Sequence, residues 1–142
     1  MFIDMTDQLE VTCARLKTYL KTVPEHMRAL PETTLLHKPS SIKWSKKEIF
    51  GHLIDSALHN WERFAKAQFQ QLPFVVRRYE QVLLVDVNGY QNLPLEHLIS
   101  LWTAMNQQIL FIIEQLPPGV ENTELAQNNA AGDQEMPTLG WL

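Results

Sequence analysis

Four side chains between positions 52 and 63 could do chemistry together: His52, Ser56, His59 and Arg63. At about 100° per residue they fall within one narrow sector of a helix. An imidazole in that row is the usual ligand for a divalent metal or the usual proton carrier at neutral pH. Asp55 lies one turn beyond His52, where a carboxylate can orient an imidazole or a water from behind. Asn60 and Arg63 are suited to a polar or charged substrate group. Tyr79 and Tyr90, on a long connection, can cover the row from outside, and Asn106 is a polar break in a later apolar helix that can face the same pocket.

Each residue also has a plainer reading. A lone histidine on a helix flank is commonly packed or solvated, and Asp55 reads equally as a solvated carboxylate. Ser56 can simply relieve crowding. Arg63 can pair with a carboxylate such as Glu114, and aromatic packing is the default for Tyr79. His59 lies two turns from His52, about 10 Å of helix rise, so the two rings are not placed to share one ion. The sequence contains no His-x-x-x-His pair, and His26, His37 and His97 read as exposed or structural. Cys13 has no neighbouring base and lies near an apolar stripe, as a structural cysteine does. No Gly-rich phosphate loop, serine elbow or paired-carboxylate motif occurs.

The totals narrow the class. At 142 residues the chain reads as one domain with room for a real core. An apolar fraction of 45% and a charged fraction of 20% fit an ordinary globular protein. A formal net charge of -4 argues against nucleic-acid and anionic-membrane partners, since the only tight basic groups are Lys46-Lys47 and Arg77-Arg78. One cysteine excludes an internal disulfide and suits a reducing cytoplasm. The acidic N-terminus does not read as a signal peptide, and the apolar patch over residues 109–113 is too short to span a bilayer.

The elements that must position the row are helices. Ser45 is an N-cap and Glu48, three residues on, completes a capping box, so a helix is expected from Ser45 past Arg63 to about Gln70. Its apolar arc is Ile49, Phe50, Leu53, Ala57, Trp61 and Phe64, and Trp44 and Trp61 read as core. A first helix is expected from about Thr6 to Val23, with Pro24 closing or kinking it and Pro24–Leu30 able to add another turn or two before Pro31 stops it. Thr33–Lys43 reads as a crossing loop. The stretch from Phe74 to Leu93 reads as a long connection with a short helical piece near Tyr79–Val85 and a turn at Asn88-Gly89, because no partner is visible for a strand. A third helix begins at Pro94, with Leu95, Leu98, Trp102, Met105, Ile109, Ile112 and Leu116 as its packing seam, and ends at Pro117-Pro118-Gly119. Residues 121–135 read as a polar loop. Residues 137–142 read as the opening of a further helix capped by Thr138.

Three helices with wide apolar faces leave one seam uncovered. The expectation is that the natural product continues past Leu142 or that a second chain supplies the wall, with a homodimer favoured.

At Trp44-Ser45-Lys46-Lys47-Glu48-Ile49-Phe50-Gly51-His52-Leu53-Ile54-Asp55-Ser56 the chain resembles the DinB superfamily, and most the YfiT-like metal-dependent branch. The similarity continues through Asn60 and Arg63 and resumes at Tyr79, Gly89-Tyr90, Pro94-Leu95, Leu101-Trp102, Asn106 and Thr138-Leu139. The resemblance implies an all-α fold, a four-helix bundle with long crossover connections whose fourth helix is only begun here. It also implies a divalent metal, zinc or nickel, held by three histidines. One of these carries over to His52. The other two belong to a helix-four pair that is absent from these 142 residues. Members include hydrolases and S-transferases that use low-molecular-weight thiols. The resulting expectation is a metal-dependent enzyme acting on a small electrophile, with Asp55, Ser56, His59, Asn60, Arg63, Tyr79 and Asn106 around the metal or substrate. The alternative is a noncatalytic helical module that binds a partner or small apolar molecule and lacks the metal site.

Overall fold

A computed structural model describes residues 5–71, 74–117 and 125–127. Among them are five helices: α1 (Met5–Ala29), α2 (Glu32–Leu36), α3 (Lys46–Lys66), α4 (Gln81–Asn88) and α5 (Leu95–Glu114). Two three-residue strands, β1 (Phe74–Val76) and β2 (Leu125–Gln127), complete the described elements, with a single 3-10 turn at Tyr90–Asn92. The architecture is an all-α bundle. The central element is α5, which packs against α3 along one side and α1 along another.

Helix α3 starts where its chemistry demands. The Ser45 hydroxyl accepts the Glu48 backbone N–H at 3.1 Å, and the Glu48 carboxylate accepts the Ser45 N–H at 2.8 Å. Both halves of the capping box are therefore made. Ser45 is fully buried, and its hydroxyl also donates to Gln91 Oε1 at 2.5 Å. Gln91 in turn donates to the Leu36 carbonyl at 2.9 Å. One cap thus ties the end of α2, the start of α3 and the 3-10 turn together.

The core lies in two clusters. One joins Ala57 and Phe64 of α3 to Ile109 and Ile113 of α5, with Leu9, Cys13 and Leu16 of α1 packed on it. The other joins Phe50 and Ile54 of α3 to Leu98, Ile99 and Trp102 of α5, closed by Val85 and Tyr90. The expected seam of α5 is recognisable in Leu98, Trp102 and Ile109.

Several boundaries differ from the expectation. Helix α1 does not stop at Val23 but runs through Pro24 to Ala29. A proline inside a helix loses one backbone bond and costs about 3 kcal/mol. Leu20, Val23 and Met27 pack onto the second core cluster from both sides of Pro24, and that burial outweighs the lost bond. The start of the expected crossing loop is α2, whose Leu35 is buried. Helix α3 ends at Lys66, with turns following where four more helical residues were expected. Pro94 stands at the N-cap of α5 and not within its first turn. The short helix in the connection forms over Gln81–Asn88 and ends on Gly89, whose φ of 64° lies in the left-handed region that glycine adopts without strain.

The strand pair is the main departure. The 74–76 segment pairs in parallel with 125–127, Val75 opposite Ala126. Its partner lies about fifty residues later, in a segment whose polar composition reads as a loop. The expected helix opening at 137–142 lies outside the described residues.

The apolar arc of α3 is split. Phe50, Ala57 and Phe64 are buried, whereas Ile49 is 47% exposed, Leu53 43% and Trp61 37%. Trp61 is therefore not a core residue among the described residues. Ile49 and Leu53 sit on the same side of α3 as Ser56 and Asn60, the side that α5 does not cover.

Candidate functional site

The polar row of α3 stands on a helix fixed at three points. Its head is held by the capping box. Its middle is held by Gly51, because an added Cβ there would lie 2.1 Å from Tyr90 Cδ2 and 2.2 Å from Cγ. Only glycine lets the Tyr90 ring rest directly on the helix backbone. Its tail is held by Phe64 in the first core cluster.

That close approach delivers the Tyr90 hydroxyl to Asp55, where it donates to Oδ1 at 2.5 Å. Asn88 Nδ2 donates to the same oxygen at 2.9 Å. Asp55 is 3% exposed, so it is not a solvated carboxylate, and the groups that bond its side chain among the described residues are Tyr90 and Asn88 rather than an imidazole. Its second oxygen is buried and makes no hydrogen bond within the described structure. Burial, with the Asp55 carboxylate next in importance, pushes the Tyr90 phenol well above its usual range, so the phenol keeps its proton and acts as a donor.

His52 is half-buried between two aromatic rings. The Trp44 ring centroid lies 5.2 Å from that of the imidazole, and the Tyr79 centroid 6.4 Å away on the connection. Nδ1 of His52 is buried and has no hydrogen-bond partner among the described residues. A buried ring nitrogen without a partner costs free energy unless another group meets it. His59 is stacked on Tyr79, with centroids 3.8 Å apart and planes 13° apart, and its Nδ1 lies 2.7 Å from the Asp55 backbone carbonyl. Tyr79 therefore bridges the two histidines, although they are too far apart along the helix to share an ion.

Below His59 the row opens onto a cavity of about 690 Å³. Its charged lining is Glu62, Arg63, Lys66, Arg77 and Arg78. Arg63 donates to Asn60 Oδ1 at 3.3 Å and to the Arg77 carbonyl at 3.1 Å. It does not meet Glu114, which pairs with Lys17 at 2.5 Å. Burial pulls the Arg63 guanidinium below its ordinary pKa, yet an arginine keeps its charge at neutral pH. Asn106 is turned onto its own helix, donating to the Trp102 carbonyl at 2.8 Å, and does not line this cavity. Ser56 is half-buried on the uncovered side of α3.

Sequence reasoning placed Tyr90 over the row from outside. It is instead the inner partner of Asp55, together with Asn88. The legible signal was Gly51, the only glycine inside α3, since a glycine in a long amphipathic helix marks a close approach. Lys66 and the Arg77-Arg78 pair reach the cavity because β1 and the chain after it return along α3.

No family model matches the chain, and no curated protein matches it. A search of solved structures does find a neighbour. YfiT from Bacillus subtilis superposes with a TM-score of 0.78 over 98% of this chain and 77% of its own, at 12% sequence identity. The chain has the YfiT fold. That protein is described as a probable metal-dependent hydrolase with an unusual four-helix bundle topology. At this identity the likeness establishes the shared bundle fold and leaves the chemistry to the residues. Among the described residues there is no group of three His, Cys, Asp or Glu side chains that could hold a metal ion. A catalytic zinc takes three protein ligands. The described residues thus supply one imidazole with an unmet ring nitrogen, not a complete site.

Among the described residues, no helix is long and apolar enough to cross a membrane.

Proposed function

We propose that this chain belongs to a divalent-metal-dependent enzyme of the DinB/YfiT type, with His52 as one metal ligand. The observation that supports this reading is the His52 ring itself. In a YfiT fold it is held between Trp44 and Tyr79 on a rigid helix, with a buried nitrogen that nothing among the described residues meets. The other ligands are not grouped around His52 among the described residues, and a second copy in a homodimer or a further segment would supply them. When bound, such an ion supplies Lewis acidity and a low-pKa water or thiolate. The chain's own residues hold the substrate. Tyr79 and His59 form an aromatic wall, and Asn60 and Arg63 present polar donors along the same flank. Asp55 is kept as a buried acceptor by Tyr90 and Asn88. The substrate is a small electrophile, the reaction a hydrolysis or transfer to a low-molecular-weight thiol, and the compartment the cytoplasm.

Metal analysis of the purified natural protein, grown with zinc and with nickel, tests the reading. About one equivalent of divalent ion per site is expected, lost in His52→Ala while the helical circular dichroism is kept. The absence of metal from both proteins leaves the noncatalytic binding module as the surviving reading.

A further inference from the structure

The cavity beside His59 carries a charge opposite to that of the molecule. The chain has a formal net charge of -4. Yet the cavity lining holds four cations, Arg63, Lys66, Arg77 and Arg78, against the single carboxylate of Glu62. That carboxylate is already joined to Lys66 in an ion pair one helical turn long. Elsewhere three of the described carboxylates are paired with other cations: Glu96 holds Arg28, Glu48 holds Lys38 and Glu114 holds Lys17. Among the described residues, Arg63, Arg77 and Arg78 have no carboxylate partner.

Arg63 is the informative member. It is half-buried, and both of its hydrogen bonds go to neutral oxygens. These two bonds fix the plane of the guanidinium. They use two of its five N–H donors and leave the others available. Taking a cation partly out of water without a counter-charge is unfavourable, and an anion bound in the cavity would offset that cost. A planar guanidinium with free donors is the group that grips carboxylate or phosphate with paired bonds. Arg77 and Arg78 follow directly after β1, so the short strand pair sets their position opposite α3.

Size and spacing define what fits. A volume of about 690 Å³ is that of a small-molecule site, not of a nucleic-acid track. Along α3, His59 lies about 10 Å from His52 and Arg63 about 16 Å from it. Tyr79 stands between the two ends, its ring stacked on His59 and its centroid 6.4 Å from that of His52.

We propose that this cleft is an anion subsite, which binds the carboxylate or phosphate end of an elongated small substrate whose reacting end lies beside His52. The inference rests on the reading of the α3 flank as a substrate wall, and it adds the charge and length of the substrate.

Calorimetric titration of the purified protein tests it, with pyrophosphate in one arm and citrate in the other, at matched ionic strength. Saturable one-site binding of at least one anion is expected, and the stronger arm identifies phosphate or carboxylate as the natural group. Arg63→Gln weakens that binding about tenfold or more, as loss of a bidentate charged contact does. Arg77→Gln/Arg78→Gln weakens it several-fold. Both of these arginines are exposed, so this variant decides the matter if Arg63→Gln does not fold. Absence of saturable binding in both arms, or equal affinity in the charge-removing variants, overturns the proposal, as does binding of long polyanions alone. Anion binding in a protein that never takes up metal removes the metal reading and keeps the subsite. Stoichiometric metal without anion binding does the reverse.

Discussion

Replacing Gly51 with alanine is the sharpest perturbation of the helix that carries the polar row. The added methyl would sit 2.1 Å from Tyr90 Cδ2, 2.2 Å from Cγ and 2.7 Å from Cβ, all well inside contact distance. The helix cannot yield easily, because its head is pinned by the capping box and its middle by Phe50 and Ile54 in the core. The Tyr90 ring must therefore move by an ångström or more, and its hydroxyl leaves Asp55 Oδ1. Overpacking of this kind costs about 1–3 kcal/mol. Loss of a hydrogen bond to a buried carboxylate costs about 1.5–3 kcal/mol. The two overlap, since a ring that moves gives up the bond in place of the strain. Against them stands about 1 kcal/mol gained by replacing glycine with alanine inside a helix. The expected net loss is about 0.5–2 kcal/mol, read as a lower urea midpoint at unchanged slope. The sign must change with the background. In Tyr90→Gly all three of the atoms that the methyl meets, Cβ included, are gone, and Gly51→Ala should then stabilise the protein by up to about 1 kcal/mol. An equal loss in both backgrounds would refute the reasoning, because Tyr90 would not be what the methyl meets.

Two further outcomes follow from the head of α3. Ser45→Ala removes the cap and the buried bond to Gln91 together, with an expected loss of about 2 kcal/mol in urea denaturation; a change below about 0.5 kcal/mol would mean that the cap is not limiting. Burial raises the Glu48 carboxyl pKa, but the Lys38 ammonium and the Ser45 N–H outweigh it and hold the group below its ordinary value. The sign then follows from linkage: the stabilisation is fully present above the unfolded carboxyl value of about 4.3 and is lost as pH falls through the folded one. The difference in stability between wild type and Glu48→Gln should therefore be largest near neutral pH and shrink in denaturation series taken below about pH 4. A difference that stays constant down to pH 3 would remove Glu48 from the account of the cap.

What could be read from the residues was what depends on local spacing. The capping box at Ser45 and Glu48, the seam of α5 and the stop at Gly89 each involve residues within a few turns of one another, so the pattern carries the structure. The failures involve partners far apart in sequence. The strand at 74–76 was not legible at all: its partner lies about fifty positions later in a polar segment, and no local rule pairs the two. Pro24 left two readings open, closure or continuation towards Pro31, because propensity argues for a stop, and tertiary packing of Leu20, Val23 and Met27 decides for continuation. For the candidate site the same division holds. The row His52, His59, Arg63 was visible from the 3.6-residue period. That Asp55 turns inward to Tyr90 and Asn88 was not, because it requires knowing that α4 and the 3-10 turn pack against α3.

The two faces of α3 explain why those polar residues separate in role. Asp55 points to the side on which Phe50, Ile54 and Tyr90 lie, and there it is fully enclosed and hydrogen-bonded by neutral donors. Enclosure of that kind fixes geometry, since a buried carboxylate that loses its donors carries a desolvation cost with nothing to offset it. His52, Ser56, Asn60 and Arg63 point to the side that α5 leaves uncovered, together with the half-exposed Ile49 and Leu53. Apolar residues interleaved with an imidazole and a guanidinium make a poor solvent face and a good contact face for a ligand or another helix. Rigidity on one side is what lets the other side keep fixed distances between an imidazole at its head and a cationic cleft at its tail. A substrate that spans that distance would find both ends already in place, with little further ordering required of the protein.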